Sequence, residues 1–374
     1  MTPQRHIVID AEIISGKSPL TGLGVYADRL ISAMAVSAPE NYRFTLLYHG
    51  DQWQGKDYGP RFQTVGYGAG YRHSTAIFFQ LARTLKSLKA DLYHVTCTTG
   101  GIPFPPCPVL TTVHDIYPLL DKVHVSLKSR ILFRLLFAAT RYGTDHFLCN
   151  SRFTMKELQK IYPGIPSSSV SFSHLAPGND FSELQNRPKT PDCKKFLFCA
   201  GALEYRKGQD LLLQGYLKAL EQSPDLPDLY FAGPDRGLGS MIEQCCSPKV
   251  HWLKYLPEKE FEQTMLDAAC FVFPSRYEGF GIPLLEAMSA GKTVICSDIE
   301  VFREIGGDLP HYTALDADAF ARQILNCFQN GKNPEPDTEK IQKHLSNFSW
   351  AKNAADTLQL YESLLTGKKT GVQK

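Results

Sequence analysis

A chain of 374 residues, 43% of them hydrophobic, is long enough to bury two cores rather than one. Its net charge of +2 gives no footprint for a polyanion, and the Arg/Lys density, finger spacing and aromatic-basic interleaving of a nucleic-acid binder are absent, so nucleic acid is disfavoured as a partner. The ten cysteines are scattered with no C-x-x-C pair, and Cys149, Cys199, Cys270 and Cys296 sit in apolar strand-like runs, which fits buried thiols in a reducing compartment better than disulfides or zinc.

Taken in order, residues 6–10 (H-I-V-I-D) read as a first buried strand; the run is too short for a signal peptide and ends on a carboxylate. No later apolar segment is long enough to span a bilayer, so a cytoplasmic protein is expected. A polar loop leads to Gly22-x-Gly24-x-x-Ala27, after which residues 27–34 show helical periodicity. The glycines invite a dinucleotide reading, but a loop of about ten residues intervenes where that fingerprint wants a tight turn. The next strand, near 43–48, also ends in His49-Gly50 where an acidic residue should meet a ribose, and NAD is disfavoured.

Residues 90–95 and 109–115 read as further strands, the second delivering His114 and Asp115 to its C-terminal end. A lone strand-end histidine is ordinarily structural. A His-Asp pair at the binding edge of a parallel sheet is a candidate for chemistry, because a neutral imidazole can donate to a sugar hydroxyl while its other nitrogen is held. Residues 126–142 mix Lys128, Arg130, Arg134 and Arg141 with Leu and Phe. Two readings stand: a basic amphipathic helix making a peripheral contact with the inner membrane face, or, as the favoured one, a helix whose apolar face is core and whose charges form a solvated rim. A strand at 147–151, and a strand with its glycine turn at 169–178, close the first half.

The polar, proline-containing stretch 185–195 reads as the interdomain linker. Strand 196–199 follows, then G-A-L-E-Y-R-K-G (201–208) and a helix over 209–220. Arg206 and Lys207 are adjacent cations at a strand-to-helix turn, which suits a diphosphate because Arg forks two oxygens and Lys supplies a point charge; two ordinary surface charges are the alternative. Strands at 229–233 and 250–255 come next. The most informative stretch is 270–298: a strand over 270–273, a Pro/Ser/Gly-rich turn with Glu278, a helix opening at Pro283 and closing before Gly291, and a strand over 293–296. Gly279, Phe280, Gly281 and Ile282 form a loop whose glycines let backbone N–H groups approach a ligand, and the helix start adds its positive dipole end. An anion cradle flanked by Glu278 at its mouth and Glu286 in the first helical turn suits a nucleotide sugar. On these residues alone it stays equally open that Glu286 complements the helix dipole and Glu278 is a solvated loop residue.

The run F-P-S-R-Y-E-G-F-G-I-P-L-L-E-A-M-S-A-G closely resembles the E-x7-E signature region of the retaining glycosyltransferases of family 4, and motifs in order from Ile7 to about Leu365 resemble that family too. The resemblance implies an α/β GT-B fold, two facing Rossmann-like domains with a C-terminal helix crossing back to the N-terminal domain. Residues 1–185 would form the acceptor domain, with 352–374 packing back on it, and 186–351 the nucleotide-sugar donor domain. It places Glu278 against the transferred sugar and Glu286 on the ribose. Backbone amides around Gly24, in a loop similar to the family's G-x-G-x-Y, would meet the pyrophosphate. His114 would contact the sugar at the reaction centre, Arg206 and Lys207 would hold the phosphates and stabilise the leaving group, and the turn at Leu256 would meet the base largely through its backbone. His94 matches a frequent family histidine and is given a structural role. Two departures stand out: Ala202 where some relatives place a further phosphate-binding Arg, and Ala176-Pro177-Gly178 where relatives often show Asn-Gly, which leaves the hinge position open.

The implied reaction moves a hexose from a nucleoside diphosphate sugar to an acceptor hydroxyl with retained anomeric configuration. No second carboxylate is placed as a nucleophile, so the family's front-face mechanism is expected by analogy. No D-x-D stands at a placed site, so neither a metal nor any other cofactor is expected. The motif combination most resembles bacterial enzymes of O-antigen and surface-polysaccharide synthesis, pointing to GDP-mannose and a saccharide or lipid-linked acceptor. Rival readings are a GT-B-like epimerase or phosphorylase, a glycoside hydrolase with two flanking carboxylates, and a non-catalytic nucleotide-sugar-binding protein.

Overall fold

The computed structural model describes residues 3–16, 22–68, 76–121, 123–179, 181, 196–328 and 335–367. The chain divides into two compact units, one made of Met1–Leu175 with Ser349–Lys374 and the other of Ala176–Phe348. The stretch expected to be the linker, 185–195, lies outside the described residues.

In the first unit the described strands are β1 (Arg5–Asp10), β2 (Tyr42–His49), β3 (Phe62–Tyr67), β4 (Leu92–Val95), β5 (Val109–Val113), β6 (His146–Cys149) and β7 (Val170–Phe172). All pair in parallel, in the order β3-β2-β1-β4-β5-β6-β7. The inner strands are short continuous apolar runs because helices cover both faces of such a sheet. The order reverses between β1 and β4, so a crevice opens at their carboxyl ends. β3 was not legible as a strand: F-Q-T-V-G-Y alternates weakly because it lies at the sheet's edge, half in solvent.

The C-terminal helix Trp350–Thr366 belongs to this unit and starts where the Ser349 side chain accepts from the Lys352 amide. Polar contacts fix its position: Tyr361 Oη bonds His94 Nδ1 at 2.6 Å, Ser173 Oγ donates to Asp356 at 2.7 Å, and Asn353 Nδ2 donates to the His174 carbonyl at 3.2 Å. His94 Nε2 is bonded to Thr112 at 2.9 Å, and burial pushes the imidazole's pKa down to about 3, so it is a neutral internal strut, as expected.

The expectation for 126–142 needs correcting. Helix Leu127–Gly143 forms, with the Ser126 side chain accepting from the Ser129 amide, but most of its aliphatic side chains do not enter the core. Phe133 and Phe137 pack inward against Val113, Phe147 and Val170. Leu127, Ile131, Leu132 and Leu135 point to solvent. The sequence runs apolar around more than one face, and only the phenylalanine face has a sheet to lie on.

The second unit repeats the same winding. Its strands β8 (Phe196–Ala200), β9 (Asp228–Ala232), β10 (Val250–Trp252), β11 (Cys270–Phe273), β12 (Thr293–Ser297) and β13 (His311–Thr313) are parallel in the order β10-β9-β8-β11-β12-β13. Leu197, Phe231, Val272 and Ile295 form its core with helices Gln209–Gln222 and Ala317–Cys327. The reversal falls between β8 and β11. Two Rossmann-like domains, as the GT-B expectation requires, are therefore present.

Candidate active site

The carboxyl ends of β8 and β11 bring two turns together. After β8 the chain makes a tight turn, Tyr205–Lys207, ended by Gly208 at φ +71°. A Cβ on Gly208 would lie 2.0 Å from the Pro274 carbonyl oxygen, so only glycine permits this approach as well as this backbone conformation. Arg276 locks the turns. Its guanidinium forks onto both oxygens of Asp210 at 2.6 Å each, donates to the Tyr205 carbonyl at 2.7 Å and stacks on the Tyr205 ring.

The locked turns hold Lys207, Arg206, Ser275 and Glu278 together. Lys207 Nζ donates to Glu278 Oε1 at 2.6 Å, and Ser275 Oγ donates to the same oxygen at 2.7 Å. Arg206 Nη1 stands 3.6 Å from Glu278 Oε2, while its Nε and Nη2 donate to Glu204 Oε1 at 3.1 and 2.8 Å. Glu278 is buried. Burial alone would raise its pKa, but Lys207, then Arg206, then the hydrogen bonds from Lys207 and Ser275 outweigh that and hold it below the ordinary value. The carboxylate is therefore ionised at neutral pH. The solvated-loop reading of Glu278 and the surface-charge reading of Arg206 and Lys207 do not survive this geometry. Two carboxylates and two cations balance one another, so a diphosphate can take over the cations by exchanging partners instead of stripping their water.

Beyond Glu278, Gly279 and Phe280 are buried and Gly281 turns at φ +106° into helix Ile282–Ser289, with Pro283 in its first turn. The opening N–H groups of such a helix have no intrahelical acceptor and favour an anion. Glu286 is the fifth residue of this helix, not in its first turn as expected, because the helix begins at Ile282 and not further on. It is buried, and its Oε1 accepts from the Asn179 amide at 3.2 Å, so it is not a solvent-facing complement to the dipole. Leu256 is half-buried in the turn after β10, a turn held by Gly233 N donating to the Lys254 carbonyl at 2.6 Å.

The other expected residues belong to the first unit. Gly24 lies inside helix Gly22–Ser37 and not in a loop before it; an amide this early in a helix still lacks an intrahelical acceptor. His114, at the end of β5, is buried, with the Tyr26 ring edge-on at 4.7 Å. Its Nε2 donates to the Thr96 carbonyl at 2.9 Å, and its pKa is lowered by burial, against the smaller opposing effects of that bond and of Asp115. A neutral ring with Nε2–H committed to a carbonyl presents Nδ1 as an acceptor. The expected donation to a sugar hydroxyl is thus reversed: the imidazole can accept from one. Asp115 Oδ1 accepts from the Tyr117 amide at 3.1 Å.

Several site residues carried no reading in the sequence. Ser275 and Arg276 stand inside the signature run, where the glutamates drew the attention, and Asp210 is indistinguishable from any acidic residue in a helix's first turn. In the first unit Asp10 ends β1 at the crevice. Burial, with a smaller push from Glu12, raises its carboxyl to about 6 despite the Glu12 amide and the Cys97 thiol. Its signal was a carboxylate closing the first buried strand.

A family model described as Glycosyltransferase Family 4 matches residues 20–172, and one described as Glycosyl transferases group 1 matches residues 180–344. The chain is 26% identical to the O-antigen chain mannosyltransferase B of Escherichia coli, over 93% of this chain and 97% of that protein. It is 25% identical to the lipopolysaccharide core biosynthesis mannosyltransferase LpsB of Rhizobium meliloti (strain 1021), over 60% of this chain and 68% of that one. Among solved structures, sucrose-phosphate synthase from Thermosynechococcus elongatus superposes with a TM-score of 0.71 over 98% of this chain and 100% of its own, at 16% identity, a likeness of fold. Two parallel Rossmann-like sheets with such neighbours fit the GT-B fold.

Proposed function

Because the chain belongs to the glycosyltransferases, with a family 4 domain in its N-terminal half and a group 1 domain in its C-terminal half, we propose that it is a retaining, cytoplasmic mannosyltransferase of surface-polysaccharide synthesis. The donor is GDP-mannose and the acceptor a hydroxyl of a saccharide or lipid-linked saccharide. The observation that carries this reading is the Lys207–Glu278–Ser275 contact, at 2.6 and 2.7 Å, at the switch point of the second sheet.

In this reading Arg206 and Lys207 turn to the donor's phosphates, joined by the first amides of helix Ile282–Ser289, and stabilise the charge that builds on the departing diphosphate. Glu278, released from Lys207, faces the sugar, and Glu286 takes the ribose. By resemblance, the amides around Gly24 serve the pyrophosphate, His114 accepts from a sugar hydroxyl and the turn at Leu256 meets the base. The bond from the anomeric carbon to the phosphate oxygen breaks, the bond to the acceptor oxygen forms on the same face, and the acceptor's proton leaves on the diphosphate. The choice of mannose is supported by the mannosyltransferase relatives.

A thermal-shift panel of nucleoside diphosphates and their sugars tests the donor: stabilisation by GDP and GDP-mannose is expected, and stabilisation by UDP alone overturns it. Proton NMR of the product made from GDP-mannose then reads the anomeric configuration; inversion would refute the mechanism.

A further inference from the structure

The outer edge of the first sheet carries a cavity that the proposed reaction leaves unused. It measures about 330 Å³, within the range of small-ligand sites, and lies between strands β2 and β3 and the loop that joins them. Leu46 and Thr64 are register partners in this parallel pair, so both side chains point to the cavity's face, as does Phe62 two residues before Thr64. The loop supplies Trp53 and Tyr58.

Hydrogen bonds hold the loop away from the sheet and keep the cavity open. Gln54 N donates to the Ser15 carbonyl at 2.9 Å, Trp53 Nε1 to the Lys56 carbonyl at 3.2 Å, and Tyr58 Oη to Asp28 of helix Gly22–Ser37 at 2.7 Å. A Cβ on Gly55 would lie 2.3 Å from the Ile14 carbonyl oxygen and 2.7 Å from the Trp53 ring, so only glycine lets the loop pass here. The site is thus preformed, and a ligand entering it orders little that is not already ordered.

The lining selects among ligands. Trp53, Tyr58 and Phe62 offer aromatic surface, and the exposed Lys56, Asp57 and Thr64 offer donors and acceptors. Lys56 and Asp57 cancel in charge, and Lys56 Nζ already donates to Ser32 Oγ at 3.1 Å, so a phosphate or a metal ion finds no excess charge to pair with. An acyl chain would leave those polar groups against hydrocarbon. A neutral sugar residue meets both demands, because its C–H face lies on aromatic rings while its hydroxyls reach the polar side chains.

We propose that this cavity binds a neutral saccharide segment of the acceptor, remote from the reacting hydroxyl. β3 lies two strands out from β1, roughly 10 Å at the spacing of neighbouring strands, so the segment held here is not the one at the crevice where β1 and β4 part. The proposal rests on the reading that the protein lengthens a saccharide. Binding energy from a remote segment acts equally on ground and transition states, so it lowers KM without raising kcat.

The test is isothermal titration calorimetry of the full chain with mannotetraose and, separately, maltotetraose, in wild type, Trp53→Ala and Thr64→Arg. Thr64→Arg puts a long side chain into the cavity from the edge strand and leaves the loop untouched. Mannotetraose binding is expected, weakened about tenfold or more in each variant. With mannotetraose as acceptor, KM should rise by the same factor at constant kcat, while both constants for methyl α-mannoside stay as in the wild type. Binding of neither oligosaccharide, or equal binding by wild type and Thr64→Arg, overturns the proposal. So does a fall in kcat for methyl α-mannoside in Thr64→Arg, since the cavity would then act on the reacting centre. Binding of maltotetraose alone, lost in Thr64→Arg, supports the site and overturns the mannose reading. A failure of the donor reading shows separately, as absent stabilisation of the wild type by GDP-mannose.

Discussion

Both sheets wind outward, return and reverse, one between β1 and β4 and the other between β8 and β11, yet the two crevices carry different chemistry. In the second, buried charge is kept: Glu278 stays ionised because Lys207 and Arg206 outweigh its burial. In the first, burial wins: His114 is neutral and Asp10 protonates near pH 6. One fold thus keeps paired charge in one half and neutral hydrogen-bonding groups in the other. The difference comes from what each strand-to-helix turn carries, since the backbone pattern is the same.

The strongest way to break this contrast is to remove the paired charge. Glu278→Gln and Lys207→Ala should each lower transfer by about a thousandfold or more. Lys207→Ala should also lose about 3 kcal/mol of stability, because it leaves a buried carboxylate with one cation fewer. Circular dichroism and denaturation separate the two effects, and full activity in either variant would sink the assigned roles.

Next comes the turn that makes the pairing possible. Gly208→Ala puts a Cβ 2.0 Å from the Pro274 carbonyl at a positive φ, so the turn must move. A loss of about 2 kcal/mol and of about a hundredfold in kcat is expected, measured by denaturant unfolding and steady-state kinetics.

A pH series sharpens the comparison with a smaller effect. Asp10 holds its proton in the folded state up to about 6, against 3.8 for a free side chain, so the first unit should lose stability as pH rises from about 4 to 6. Glu278 acts in the opposite sense: its contribution is present above the unfolded carboxyl value and is lost as pH falls through the lowered folded one. Calorimetry from about pH 4 to 6 should show the first slope abolished in Asp10→Asn, at a scale of about 2 kcal/mol, and calorimetry carried on below the ordinary carboxyl value should show the second abolished in Glu278→Gln. Unchanged slopes in both variants would mean that other groups dominate.

The smallest effect is a control on glycine. Gly22, at the start of its helix, has nothing within 4 Å of a built Cβ and no positive φ. Gly22→Ala should therefore be neutral or stabilise by a few tenths of a kcal/mol, a contrast with Gly208 readable in the melting temperature.

Much of the fold was legible because apolar runs of strand length sat between glycine turns and helical periods. The strand Cys270–Phe273 and the helix beginning at Ile282 lie within a residue of where the sequence puts them. The edge strands Phe62–Tyr67 and His311–Thr313 were not legible, since a strand half in solvent or only three residues long has little periodicity to read. Helix Leu127–Gly143 failed for another reason: an apolar pattern says that a face is hydrophobic, not what it faces.

By itself the sequence determined that two parallel α/β halves follow one another, and which turns carry Arg206, Lys207, Glu278 and His114, because strand order and local turn chemistry are written residue by residue. Only the tertiary structure decided which charge states those groups keep, that Arg276 and Asp210 clamp the turns, and that the Nε2–H of His114 is committed to the Thr96 carbonyl. Burial and partnering across long sequence separation set ionisation and tautomer, and neither has a local signature.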